Sequence, residues 1–152
     1  MEVFGLPLHP LILHATVVFV PLAAAGGIGI SLIRPLRTRY GSLVTIVAFV
    51  AAVCTYITQE AGEDFAKTFT RPTAAMERHF HLGDGLLAWV IVLFAGTAIL
   101  MLGDLLVKRG QARGRIAVIA GMVVTVVAAV ISTVQVIRIG HSGATAVWGN
   151  GS

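Results

Sequence analysis

Polar residues break this chain only in clusters. Between the clusters run four apolar stretches, at residues 11–33, 42–58, 86–107 and 116–137. Crossing a hydrocarbon core about 30 Å thick takes roughly 20 helical residues, and each stretch is of that order. The second is the shortest, but its helix can continue through residues 59–66 into the interface. The pattern predicts an all-α protein, a four-transmembrane-helix up-down-up-down bundle, because short connections make sequential helices antiparallel neighbours. Residues 1–148 form one four-helix membrane domain, followed by a tail at 149–152 expected to be flexible. The first stretch is too long for the apolar region of a cleavable leader and has no basic segment before it.

The connections set the expected orientation. Arg34, Arg37 and Arg39 lie between the first two stretches, and Lys108, Arg109, Arg113 and Arg115 between the last two. Both connections are short and lack acidic residues, so the positive-inside rule places them in the cytoplasm. Both termini and the longer connection around residues 60–84 then face outward. There Lys67, Arg71 and Arg78 are diluted by Glu60, Glu63, Asp64 and Glu77.

Composition supports the membrane class: 57% of the residues are hydrophobic and only 12% charged. That is far from the balance of a water-soluble domain. Seventeen glycines suit helices packed closely in lipid. The net charge of +4 resides in the connections and forms no patch, so no nucleic-acid partner is expected. Cys54 is alone, which rules out a disulfide framework or a Cys-x-x-Cys metal motif within the chain.

The unusual chemistry collects at the end opposite the arginines. His9 and His14 open the first stretch, His79 and His81 precede the third, and His141 follows the fourth. At a rise of 1.5 Å per residue, His14 lies about 30 Å from Arg34 along a helix. His9 and His14 are five apart and do not share a face. His14, inside the apolar run, is expected to turn into the bundle, since an ionisable group there needs a partner. His9 and His79 also fit simple polar tips at the headgroups. Glu60 and Glu63 share a helix face at i, i+3. Glu77, His81 and Asp84 form one stripe if the third helix starts early. Asp104 is expected to pair with Lys108 at i+4. Gly140 is expected to end the fourth helix, and Gly143 to fold the chain back so that His141 lies across the bundle mouth. Trp148 is expected to anchor at the interface.

Three segments together resemble a bacterial four-helix integral membrane domain family of unknown function. They are "GLPLHPLILHATV" with its His-Pro-x-x-x-His opening, "TQEAGEDFAK…MERHFHLGDGLL", and "GHSGATAVW" with its Gly-His-x-Gly-Ala closing motif. The resemblance covers nearly the whole chain and puts His9, His14, Glu60, Glu63, His81 and His141 at matching positions. Two positions depart from the pattern. Ala15-Thr16 stands where a proline follows the second motif histidine, and His81-Leu82 stands where a His-Glu pair is usual. Some members are fused to Rieske-type iron–sulfur modules, so the resemblance implies electron transfer in a bacterial inner membrane.

The leading expectation is a membrane-embedded b-type haem-binding, cytochrome-like electron-transfer protein. Two histidines on different helices of a bundle can face each other across a haem iron. His14 and His81 are the expected axial pair, because the first and third helices are diagonal. His141 is the alternate ligand or a propionate partner, and Arg78 or Arg138 would also serve the propionates. No histidine lies near the arginine end, which excludes a two-haem relay across the membrane. Electrons would pass on the outer side to or from a quinol or another electron carrier. The alternative is a non-haem centre of di-iron, zinc or copper, built from His9, His14, Glu60, Glu63, Glu77, His81 and His141. The Glu-x-x-His spacing of di-iron bundles is absent, because Glu77 and His81 are four apart. A third expectation is a non-catalytic structural membrane subunit, in which the same histidines hydrogen-bond to fix helix ends. Homo-oligomerisation is compatible with all three.

Overall fold

The computed structural model describes residues 2–3, 6–66 and 74–148, with side chains described for residues 12–63, 83 and 85–141. Two short strands, β1 (Glu2–Val3) and β2 (Leu6–Pro7), pair antiparallel ahead of the first helix. Four helices follow: α1 (Leu8–Leu32), α2 (Arg34–Ala66), α3 (Ala74–Lys108) and α4 (Arg113–Trp148). Pro10 falls in the first turn of α1, where its missing N–H costs little.

The first connection is not the basic loop expected from the sequence. Only Ile33 is non-helical between α1 and α2, and Arg34, Arg37 and Arg39 occupy the first turns of α2. Pro35 fits the sharp break, since it has no N–H to donate to Ser31 O and sits in the first turn of α2, where that loss costs little. The Ile33 N–H still donates to Gly29 O at 2.9 Å, while Ile33 O accepts from Arg37 N at 3.1 Å. One residue therefore closes the old helix and caps the new one.

The second connection ends in a different way. Gly110 adopts φ 72°. Gly110 N donates to Val107 O, and Gln111 N to Leu106 O, both at 3.0 Å. These two bonds and the left-handed glycine make a Schellman motif, which satisfies the last carbonyls of α3.

The helices form a ring in which α1 neighbours α2 and α4, and α3 neighbours α2 and α4. Helices α1 and α3 lie diagonally, with little direct contact. The closest pair is α3–α4, where a glycine seam lets the backbones meet. A Cβ on Gly121 would lie 2.5 Å from Leu100 N, one on Gly103 2.6 Å from Val118 N, and one on Gly114 2.5 Å from Val107 N. Gly96 meets Thr125 in the same way, so the seam keeps one antiparallel register along its length. Where lipid tails are as apolar as the side chains, such close approach is what drives association.

Small side chains fill the middle of the bundle. Ala23, Ala48, Ala51, Ala128 and Ala129 are fully buried there with Val20, Val90 and Leu93. Phe49 of α2 and Phe94 of α3 pack at a 5.5 Å centroid distance. Large apolar side chains such as Leu43, Ile46, Phe49, Ile119 and Val123 face outward. The apolar exterior and the small-residue interior match helices that lie in lipid.

Candidate functional site

The inward-facing stripe of α1 runs through Thr16, Val20, Ala23 and Gly27, all buried. His14 precedes Thr16 by two residues, about 200° of rotation away. Accordingly His14 is exposed, and the expectation that it turns into the bundle is corrected. The inward place is taken by Thr16, whose hydroxyl lies 2.8 Å from that of Thr58 on α2. Thr58 Oγ1 already donates its proton to Cys54 O, so Thr16 is the donor of this interhelical bond.

Near the end of α2 the buried positions are Ala61 and Gly62, while Glu60 and Glu63 are both exposed. Arg138 and His141 are exposed on α4, three residues apart and on one face. Helix α4 does not stop at Gly140 as expected but continues unbroken to Trp148. His141 is therefore an outward-projecting helical residue rather than part of a folded-back lid. Gly140 and Gly110 are both glycines, but only Gly110 adopts the left-handed conformation that ends a helix. His14 and His141 are each engaged in an interaction at this end.

Helix α3 does start early, at Ala74, so positions 77, 81 and 84 lie on one stripe of it. The side chains of His9, Glu77, Arg78, His79 and His81 lie outside those described.

Register shows which positions share a depth. Gly27 of α1 approaches Thr125 of α4. His14 is as many residues outward from that contact as Arg138 is. The Thr16–Thr58 bond sets His14 level with Glu60. Gly85 packs against the Gln135 amide, so position 81, one turn further out, is level with Ile139 and Gly140. Positions 14, 60, 81 and 138–141 thus reach one end of the bundle together. Among the described residues, no three His, Cys, Asp or Glu side chains come close enough to hold a metal ion.

The opposite end departs from expectation too. Asp104 pairs with Arg37 of α2, Nε to Oδ2 at 2.9 Å, and not with Lys108. An i+4 neighbour is only one of the partners a helix offers. Arg37 reaches from the adjacent helix into a largely buried position, where an ion pair is less screened.

Sequence reasoning also missed a set of interior polar groups. Gln59 Oε1, Ser132 Oγ and Gln135 Oε1 are buried without a hydrogen-bond partner. Ser132 and Gln135 stand three apart in an otherwise apolar run, a spacing that could have flagged them as one inward face.

All four helices contain a segment long and apolar enough to cross a membrane: Ile12–Leu32, Arg34–Glu63, Gly85–Lys108 and Arg113–His141. The fold is that of a membrane-spanning four-helix bundle. The model of the family described as "Predicted membrane protein (DUF2231)" matches residues 5–152, and the chain belongs to that family. This agrees with the resemblance carried by the three sequence motifs. No curated protein and no solved structure matches the chain.

Proposed function

We propose that this domain is a membrane-embedded, b-type haem-binding electron-transfer protein with its cofactor at the histidine end. The observation that carries the reading is the shared depth of positions 14, 81 and 141 on helices where α1 and α3 are diagonal. Two axial histidines on different helices must reach one depth, and His14, being exposed, would do so at the bundle mouth and not across the packed interior. Looser packing around Gly83 supports a site toward this end. A Cβ on Gly83 would meet nothing within 4 Å, whereas the α3–α4 seam below is closed by backbone contact. The exposure of His14 favours a site at the bundle mouth over one in the small-residue core.

His14 and His81 would hold the iron, with His141 as alternate ligand or propionate partner. Arg138, on the same face as His141, and Arg78 would carry the propionate charge. Haem bound there would supply one-electron transfer to and from a quinol or an outer-side carrier. The exposed Arg34, Arg39, Lys108, Arg109, Arg113 and Arg115 at the other end favour that end as cytoplasmic. The histidine end and both termini then face outward from a bacterial inner membrane.

A visible spectrum of the detergent-purified protein tests the reading. A Soret band that shifts on dithionite addition is the expected result. A stoichiometric metal without a Soret band would replace it with a non-haem iron, zinc or copper centre drawing on His9, Glu60, Glu63 and Glu77. Neither chromophore nor metal would leave a structural membrane subunit.

A further inference from the structure

Just inward of Glu60, Arg138 and His141, three side-chain oxygens lack any partner. They are Gln59 Oε1 on α2, and Gln135 Oε1 and Ser132 Oγ on α4. Ser132 is fully buried. Gln135 follows it at i+3 on the same face, and Gln59 follows buried Thr55 at i+4, so all three belong to inward stripes. The two glutamines lie near one depth, and Ser132 lies about one turn deeper than Gln135. The Gln135 amide lies over Gly85. The α2–α3 register, set by Arg37–Asp104 and Phe49–Phe94, brings Gln59 level with Gly83 and Asp84.

Gly83 adds an independent observation. It lies on the α3 stripe of buried Leu86, Val90 and Leu93, yet a Cβ there would meet nothing within 4 Å. At Gly96, Gly103 and Gly121 on the same helix pair, a Cβ would strike the neighbouring backbone. Space therefore lies level with Gln59, close to the Gln135 amide and about one and a half turns outward of Ser132. Burying an amide or hydroxyl without a partner is costly, because the group gives up its bonds to water for nothing. Three such groups beside space form the polar, roomy setting that internal water occupies.

We infer that the bundle carries an internal water site bounded by Gln59, Gln135, Ser132 and Gly83, open toward the histidine end. Water donates to both glutamine carbonyls and bonds the Ser132 hydroxyl. Thr16 and Thr58, bonded to each other, form the α1–α2 wall. Deeper in the bundle Ala48, Ala51, Leu93 and Ala128 are fully buried, with Thr97 and Thr125 buried among them, so close packing and not an absence of polar atoms bounds the site toward the arginine end. The inference does not rest on haem, because its evidence is the chain's own oxygens and packing.

Water-edited solid-state NMR of the full chain in lipid bilayers tests it. Magnetisation from water should reach Ser132 and the side-chain amides of Gln59 and Gln135 several-fold faster than the methyls of Ala48 and Ala128. Gln135→Leu should slow the build-up at Ser132 several-fold while the spectrum stays that of the folded bundle. Build-up at both glutamine amides as slow as at Ala128 would overturn the water site, whether or not the protein binds haem. Build-up at Ala128 as fast as at Ser132 would overturn the inner boundary of the site.

Discussion

Arg37 Nε donates to Asp104 Oδ2 at 2.9 Å and ties the start of α2 to the last turn of α3. Each charge opposes its own helix dipole, a cation near an N-terminus and an anion near a C-terminus. The pair is therefore held by the neighbouring helix and not by its own. Both side chains are largely buried, so removing one partner leaves the other charged and shielded. Asp104→Ala and Arg37→Ala should each cost about 3–5 kcal/mol, and Arg37→Met with Asp104→Leu much less than the sum. Lys108→Ala should be nearly silent. Unfolding in detergent measures all four, and a Lys108→Ala cost equal to that of Asp104→Ala would refute the pairing.

The glycine seam separates contact from mere composition. Gly121→Ala places a methyl against the Leu100 backbone and should cost about 1–3 kcal/mol through overpacking. Gly140→Ala, exposed and helical with nothing near it, should instead gain about 0.5–1 kcal/mol. Thermal unfolding of the two variants gives the signs. A clear loss in Gly140→Ala would mean that α4 stops there after all.

Thr16→Val removes the donor of the only described hydroxyl–hydroxyl bond between helices. Interhelical hydrogen bonds in membranes are worth about 0.6 kcal/mol on average and up to about 1.7. A double-mutant cycle with Thr58→Val should give a coupling energy in that range. Additive single effects would show that the bond contributes nothing.

Cofactor retention distinguishes the histidines. His14→Ala should lose the Soret band in purified protein, while His79→Ala should keep it. Glu60→Gln with Glu63→Gln should also keep it, whereas a carboxylate metal centre would lose its metal. Equal retention in His14→Ala and His79→Ala would remove His14 as a ligand.

Orientation is read by labelling in a Cys54→Ala background. Gly140→Cys should react with a membrane-impermeant maleimide in intact cells, and Gln111→Cys only after permeabilisation. The opposite pattern would place the arginine end outside.

Four spans, their order and the segregation of histidines from arginines were legible in the chain. These depend on hydropathy and helical rise, which are local and additive along the sequence. So was the diagonal relation of α1 and α3, because short connections leave few ways to close four helices. Helix ends were less legible. Ile33 alone makes the first turn, and Gly140 does not stop α4. A glycine or a basic cluster permits a break without requiring one. Facing was decided only by tertiary packing. Thr16 takes the interior and His14 the exterior, because rotation of α1 is set by what α2 and α4 present to it. In the same way Asp104 has one sequence neighbour at i+4, but its partner arrives from another helix. The inward glutamines follow the same rule: an amide in an apolar run is visible in sequence, while the oxygens it meets belong to the assembled bundle.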